Sequence, residues 1–420
     1  MNYDFTTWGA LVGLVIAIIL IIRQFHPAYS LIIGALIGGI LGSCGNLTLT
    51  VSTMMNGTNS MITSVLRIMT SGILAGALIK TGSAEKIAQI IVQKLGTKKA
   101  LFAVALATMI ICAVGVFIDI SVITVAPIAL AIGQEAGYNK QSVLLAMIGG
   151  GKAGNIISPN PNTIAVSEAF HVDLISLMLR NVIPAICALI ITVILSNLLA
   201  GKKGLPVTDE DLEKGEAKEL PSFGKAISGP LVVIILLALR SLGVTIDPMI
   251  ALPAGGLVSA VITGNWKKFS KFAEFGLSKV TGVSILLLGT GTIAGIIKAS
   301  SLQADVVSAL NFFNMPAFLL APIAGILMAG ATASTTAGAT VAAQTFSSVL
   351  LSEGVPALSA GAMIHSGATV IDSLPHGSFF HATGGAVNMK IQDRMKLIIY
   401  EAMVGLTSTA VSVIVYLIAR

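Results

Sequence analysis

The sequence predicts an all-α polytopic membrane protein made of two inverted-topology repeats, each with a re-entrant hairpin and a broken helix. Three observations carry this. Mean hydropathy is +0.92 and only 10% of the 420 residues are charged, so too few polar side chains remain to cover a water-soluble globule. The chain also repeats itself. Leu74-Ala-Gly-Ala-Leu-Ile-Lys80 returns as Ile293-Ala-Gly-Ile-Ile-Lys298, and Ser158-Pro-Asn-Pro-Asn-Thr163 falls opposite Leu374-Pro-His-Gly-Ser-Phe379, at a spacing of about 215 to 219 residues. Third, matched loops carry their lysines on opposite sides, as two halves lying antiparallel in a bilayer require.

Apolar stretches near the length needed to cross a bilayer run from Trp8 to Ile22, Ala28 to Leu47, Ala100 to Ile118, Leu174 to Leu199, around Leu231 to Leu242, and from Leu397 to Leu417. They predict roughly ten to twelve spans, for which about 17 to 25 residues suffice, plus shorter pieces. The first has no basic segment before it and no small-residue cleavage site, and it reads as a retained helix. Cys44, Cys112 and Cys187 lie apart inside apolar segments, as packing residues do. The five histidines lack zinc-ligand spacing and no phosphate-binding glycine loop is present, so no metal, cofactor or ATP-driven cycle is expected. The net charge of +6 sits mainly in short loops and points to topology, not to nucleic acid.

The long hydrophilic stretch from Gly201 to Lys225 separates a first repeat (1–200) from a second (226–420) and reads as a solvated linker. Lys80, Lys86, Lys94, Lys98 and Lys99 face a counterpart holding only Lys298. Residues 50–62 have no Lys or Arg, whereas 265–279 hold Lys267, Lys268, Lys271 and Lys279. Arg180 stands alone where the second copy has Lys390, Arg394 and Lys396. This places both termini outside and the linker in the cytoplasm. Gly115 to Pro127 and Gly330 to Thr340 are rich in Gly, Ser, Thr and Pro at membrane depth, where irregular backbone survives only inside protein or against a wet cavity. Both read as re-entrant hairpins or broken helices. The Gly34/Gly38/Gly42 and Gly72/Gly76 spacings predict close helix packing, within the monomer or in a homodimer. Residues 83–95 read as an amphipathic interfacial helix.

Ionisable groups deep in apolar segments are the candidates for chemistry: Asp119, Lys152, His365 and Asp372, with His376 and His381 just beyond. Around Lys152 three glycines precede Asn155, Ser158 and the Pro159/Pro161 break, followed by Asn160, Asn162 and Thr163. Such a break exposes backbone N–H groups at a helix N-terminus, a ready site for a carboxylate. The matching break carries Asp372, Ser373, His376 and Ser378, and the second hairpin carries Ser334, Thr335 and Thr336. Asp119 and Lys152 form either a structural ion pair or part of the coupling machinery. Glu168, His171 and Asp173 are expected at the surface with no special role, and Glu401 in a helix–helix hydrogen bond.

At Gly115 to Pro127 with Asp119, at the Pro-x-Pro break of 159–163, at 330–340 and at Asp372-Ser-Leu-Pro-His376, the chain resembles the gluconate permease (GntP) family. The resemblance covers nearly the whole chain. It implies an elevator-type transporter of the inner (plasma) membrane, carrying gluconate-like sugar acids or smaller hydroxycarboxylates such as glycerate inward with protons, and a dimer. Asn160-Pro-Asn-Thr163 departs from the His-Pro-Gly-Pro element usual in the gluconate branch. The anion would sit at Lys152, Asn155, Ser158, Asn160, Asn162, Thr163, the hairpin hydroxyls, Ser373, His376 and Ser378, with Asp119, Asp372 or His365 taking the proton. Lys152 would attract the anion or occupy the position of a sodium ion in sodium-coupled relatives. The alternative is a sodium/proton antiporter without an organic substrate; a membrane enzyme finds no nucleophile–base pair in the sequence.

Overall fold

The computed structural model describes residues 4–212 and 219–419, so Glu213, Lys214, Glu216 and Lys218 of the linker fall outside the described residues. The first half folds as α1 (Thr7–Ile22), α2 (Pro27–Gly42), α3 (Leu47–Asn59), α4 (Ile62–Lys80), α5 (Ser83–Leu95) and α6 (Ala100–Ala113). It continues as α7 (Ile118–Glu135), α8 (Lys140–Asn155), α9 (Pro161–Ala169), α10 (Leu174–Arg180) and α11 (Val182–Ala200). The second half repeats the order: α12 (Phe223–Ala238), α13 (Pro248–Ile262), α14 (Phe269–Ala299), α15 (Leu302–Phe312) and α16 (Leu320–Thr332). It ends with α17 (Thr335–Ser352), α18 (Ala357–Gly367), α19 (Ser378–Gly385), α20 (Ile391–Met395) and α21 (Ile398–Ile418). α14 takes the place that α3 and α4 share in the first half.

Five helices among the described residues are long and apolar enough to cross a membrane, six if the bent pair α5 and α6 counts as one. Roughly ten to twelve spans plus shorter pieces were expected, and polar and glycine breaks do cut the apolar runs. Leu174 to Leu199 is interrupted at Asn181, and Ala28 to Leu47 stops at Gly42. Five further apolar helices are only 10–17 residues long. Residues 83–95 do form one amphipathic helix, burying Ile87, Ala88 and Val92, before the chain bends by 102° into α6.

The helices sort into two groups. α1–α4 pack with α12–α14, and α5–α11 pack with α15–α21. Glycines set the close contacts of the first group: a Cβ on Gly276 would lie 1.8 Å from the Gly72 carbonyl oxygen, and one on Gly38 would lie 2.6 Å from that of Gly9. The small-residue spacings therefore serve packing within the monomer, where helices without a hydrophobic drive between them need close backbone approach. In the second group α8 is central, buried at every residue from Ser142 to Asn155.

The start of the linker is pinned to α8 at a few points, with Val207 and Asp211 buried and most of its other residues exposed. Lys140 Nζ donates to Asp211 Oδ1 at 2.6 Å, Lys140 N donates to the Leu205 carbonyl at 2.8 Å, and Asn139 Nδ2 donates to the Leu199 carbonyl at 2.8 Å. Burial alone would push the Asp211 carboxyl up, but the Lys140 ammonium and the Thr208 donors outweigh it and hold the carboxyl below its ordinary range. A depressed carboxyl stabilises the fold above its ordinary pKa and loses that contribution as pH falls through the lowered value. Asp211→Asn should accordingly free residues 203–212 at neutral pH, read as faster tryptic cleavage after Lys202 and Lys203. Probed in acid with pepsin, which is active there, the wild-type linker should stay protected through the ordinary carboxylate range and open only below it.

Candidate functional site

Two hairpin tips and two helix breaks converge. α6 turns into α7 through Gly115, whose φ of +108° favours glycine, and α16 turns into α17 at Ala333, φ +46°. Both turns lie inside the expected segments, but the first occupies only the start of its segment. The turn lies before Ile118, and Ile118 to Pro127 belongs to one continuous helix long enough to span a membrane. The helix breaks fall where the prolines predict. α8 stops at Asn155, and Asn160 caps α9 by accepting from Asn162 N at 3.0 Å and Thr163 N at 3.1 Å. α18 stops at Gly367 and the chain restarts at α19, whose N-terminus no side chain caps. α17 packs on α9 and α7 on α19, so each hairpin meets the other half's broken helix.

These elements enclose a cavity of about 410 Å³. Of the residues chosen from sequence, Asp119, Asn155, Asn160 and Asn162 line it from the first half. Ser334, Thr335, Thr336, Asp372, His376 and Ser378 line it from the second. Lys152, Ser158, Thr163, Ser373 and His365 are not among its walls. They are buried behind it: Thr163 donates to Asn160 at 3.3 Å, Ser373 to Asp372 at 3.0 Å, and the Ser158 hydroxyl and both His365 ring nitrogens have no partner.

Lys152 does not pair with Asp119. Its ammonium donates to Asp372 Oδ1 at 2.6 Å and to the Thr369 carbonyl at 2.6 Å, with the Glu401 carbonyl at 3.5 Å. The two side chains are 1% and 2% exposed. Thr335 donates to the other Asp372 oxygen at 2.5 Å. Sequence distance concealed this partner, because Asp372 reaches α8 only through the break that follows α18. Glu401 makes a helix-spanning contact as expected, but its partner is Arg394, buried over the Phe380 ring and not a loop charge.

A fan of amides forms the cavity floor. Asn160 Nδ2 donates to Asn155 Oδ1 at 2.6 Å and Asn162 Nδ2 donates to the same oxygen at 3.0 Å, while Thr336 donates to Asn162 Oδ1. Both Asn155 acceptor positions are thereby used and its Nδ2, on a residue 2% exposed, has no partner. A buried donor left unpaired is costly unless a ligand acceptor meets it. Asp119 stands half-buried in the first turn of α7, where the helix end favours negative charge.

Sequence reasoning missed Lys279, His26 and Phe117, which also line the cavity. Lys279 was grouped with the loop lysines before it, yet it lies in α14 with its ammonium 5.2 Å from the Phe275 ring centre. Its separation from Lys267, Lys268 and Lys271 by a run through Phe272 and Phe275 was the available signal.

The profile of the GntP family permeases matches residues 6–419. An uncharacterized transporter of Haemophilus influenzae is 52% identical over 409 residues, 97% of each chain. The gluconate permease of Pseudomonas aeruginosa is 22% identical over 375 residues, covering 81% of this chain and 82% of that one. Among solved structures the Alcanivorax borkumensis YdaH transporter superposes with a TM-score of 0.65 at 15% identity over 98% of both chains, a likeness of fold.

Removing one partner of a buried pair strands the other charge. Lys152→Met should lower stability by about 3–5 kcal/mol, and adding Asp372→Asn should recover a large part of the loss. Thermal unfolding of the purified single and double variants in detergent checks both values.

Proposed function

The chain belongs to the GntP permease family, and from that premise we propose that it moves a small organic anion, a sugar acid or a smaller hydroxycarboxylate, together with protons. It is an integral membrane transporter of an organic substrate; the anion, the coupling ion and the motion are the proposal. The observation that carries it is the unpartnered Asn155 amide in a cavity bounded by two hairpin tips and two helix ends. A carboxylate there accepts from Asn155 Nδ2 and from the uncapped N-terminus of α19, while the Ser334 and Thr336 hydroxyls bond the substrate's own hydroxyls.

Asp119 is the proton carrier. Asp372 is already engaged by Lys152, Ser373 and Thr335, and His365 lies outside the cavity walls, so neither is free to exchange a proton with the site. Lys152 fills an oxygen cage of two carbonyls and a carboxylate, which supports the reading of a tethered cation in place of a free one. The group α5–α11 with α15–α21 is the moving carrier, and α1–α4 with α12–α14 the static frame. The helix order repeated in the two halves supports inverted repeats, and the exposed apolar frame helices suit the expected homodimer and a multi-pass position in the inner membrane. The amide-lined cavity favours an organic anion over the antiporter alternative.

Proteoliposomes under an imposed pH gradient should take up one of gluconate, glycerate, 3-hydroxybutyrate or lactate saturably, and uptake should collapse with the gradient whether or not sodium is present. Sodium-driven pH changes with no uptake of any acid would replace this reading with the antiporter. Asp119→Asn should abolish accumulation against a gradient while sparing acid-for-acid exchange. Asn155→Leu should raise KM about ten-fold or more, the loss of one hydrogen bond to a charged group, with a smaller effect on kcat.

A further inference from the structure

The two halves use matching surfaces differently. Leu74 and Ile293 are matched positions, so Arg67 on α4 and Leu286 on α14, each seven residues earlier, correspond. α2 and α13 also correspond: both begin with proline, at Pro27 and Pro248, and both are capped two residues ahead of the accepted N–H, by His26 and Asp247. Leu286 and His26 line the cavity. Their counterparts Arg67 and Asp247 face α9, where Glu168 contradicts its expected idle place at the surface and is ion-paired with Arg67.

The Arg67 guanidinium is held on the frame by Asp247, with Nε at 3.1 Å from Oδ1 and Nη2 at 2.5 Å from Oδ2. Its Nη1 is offered to Glu168 on the carrier group. The contact therefore joins α4 to α9 in the first half at the place where, between α14 and α19 in the second half, the cavity stands open. Arg67 and Glu168 are 22% and 20% exposed. A partly hydrated pair of this kind is inexpensive to break, and Arg67 keeps Asp247 when Glu168 leaves.

Resting on the alternating-access reading above, we infer that Arg67–Glu168 is a latch specific to the conformation seen here. Exchange of roles between the two halves carries α9 away from α4 and closes the α14–α19 cleft. Asp247 is the fixed anchor that holds the guanidinium ready for the return.

Two experiments test this. In full-length protein carrying Cys44→Ser, Cys112→Ala and Cys187→Ala, the pair Arg67→Cys and Glu168→Cys should be joined by a short bifunctional methanethiosulfonate reagent, whose mixed disulfides are reducible. Cross-linking should abolish uptake of the transported acid, and reduction should restore it; undiminished uptake by the cross-linked protein overturns the latch. The second needs neither substrate nor cysteine changes. Amide exchange of Glu168→Gln against wild type should be faster over 161–169 and slower over 378–385, by about five-fold in each direction, because the second cleft closes as the first opens. Faster exchange at 161–169 with 378–385 unchanged reduces the pair to a local contact and overturns the inference, as does no change in either segment. A failure of organic-acid transport leaves this second readout intact, so the two readings fail separately.

Discussion

The Lys152–Asp372 pair is the contact on which the site depends. Two charges almost without exposure are tolerated only because each is fully bonded: the ammonium by the carboxylate and two carbonyls, the carboxylate also by Thr335 and Ser373. The pair ties α8 of the first half to the break after α18 of the second and, through Thr335, to the tip of the second hairpin. It fixes three of the cavity's walls relative to one another while leaving the cavity itself without that charge. Asp119, Lys279 and Asn155 line the same cavity outside that pair.

Helix termination is what makes such a cavity possible in an apolar chain. A continuous helix satisfies its own backbone and offers a substrate nothing. Stopping α8 and α18 short and restarting α9 and α19 presents backbone donors at protein depth. The pseudo-symmetric positions are not chemically equal. Asn155 closes α8 and Asp372 lies in the break after α18, and one is left with an open donor while the other is bonded by lysine. The same inequality recurs beside the cavity: Arg67, held by Asp247, is ion-paired with Glu168 of α9, whereas Leu286 and His26 line the cavity.

Much of this was legible in the chain. Hydropathy and low charge gave the membrane class, the repeated motifs gave the matching of helices, and prolines 159, 161 and 375 gave the breaks. Ten of the fifteen side chains chosen for the site line one cavity. The misses have a common physical origin. Lys279, Arg394 and Glu168 were read by their neighbours in sequence, as loop or surface charges. Their environments are set by helices far away in the chain: the cavity walls for Lys279, Phe380 and Glu401 for Arg394, Arg67 for Glu168. The bounds of the apolar runs shifted because a run records composition, while its interruption at Asn181 or Gly42 is a matter of local bonding.

By itself the sequence determined which segments are helical and apolar, where backbone must break, and which residue types stand at those breaks, because these follow from local sterics and solvation. Only the tertiary structure decided who partners whom. Lys152 had two carboxylates within reach of argument, Asp119 and Asp372, at similar depth. The choice between them was made by the 217-residue separation that folding closes between Lys152 and the Thr369 carbonyl beside Asp372, a long-range pairing that no local pattern encodes.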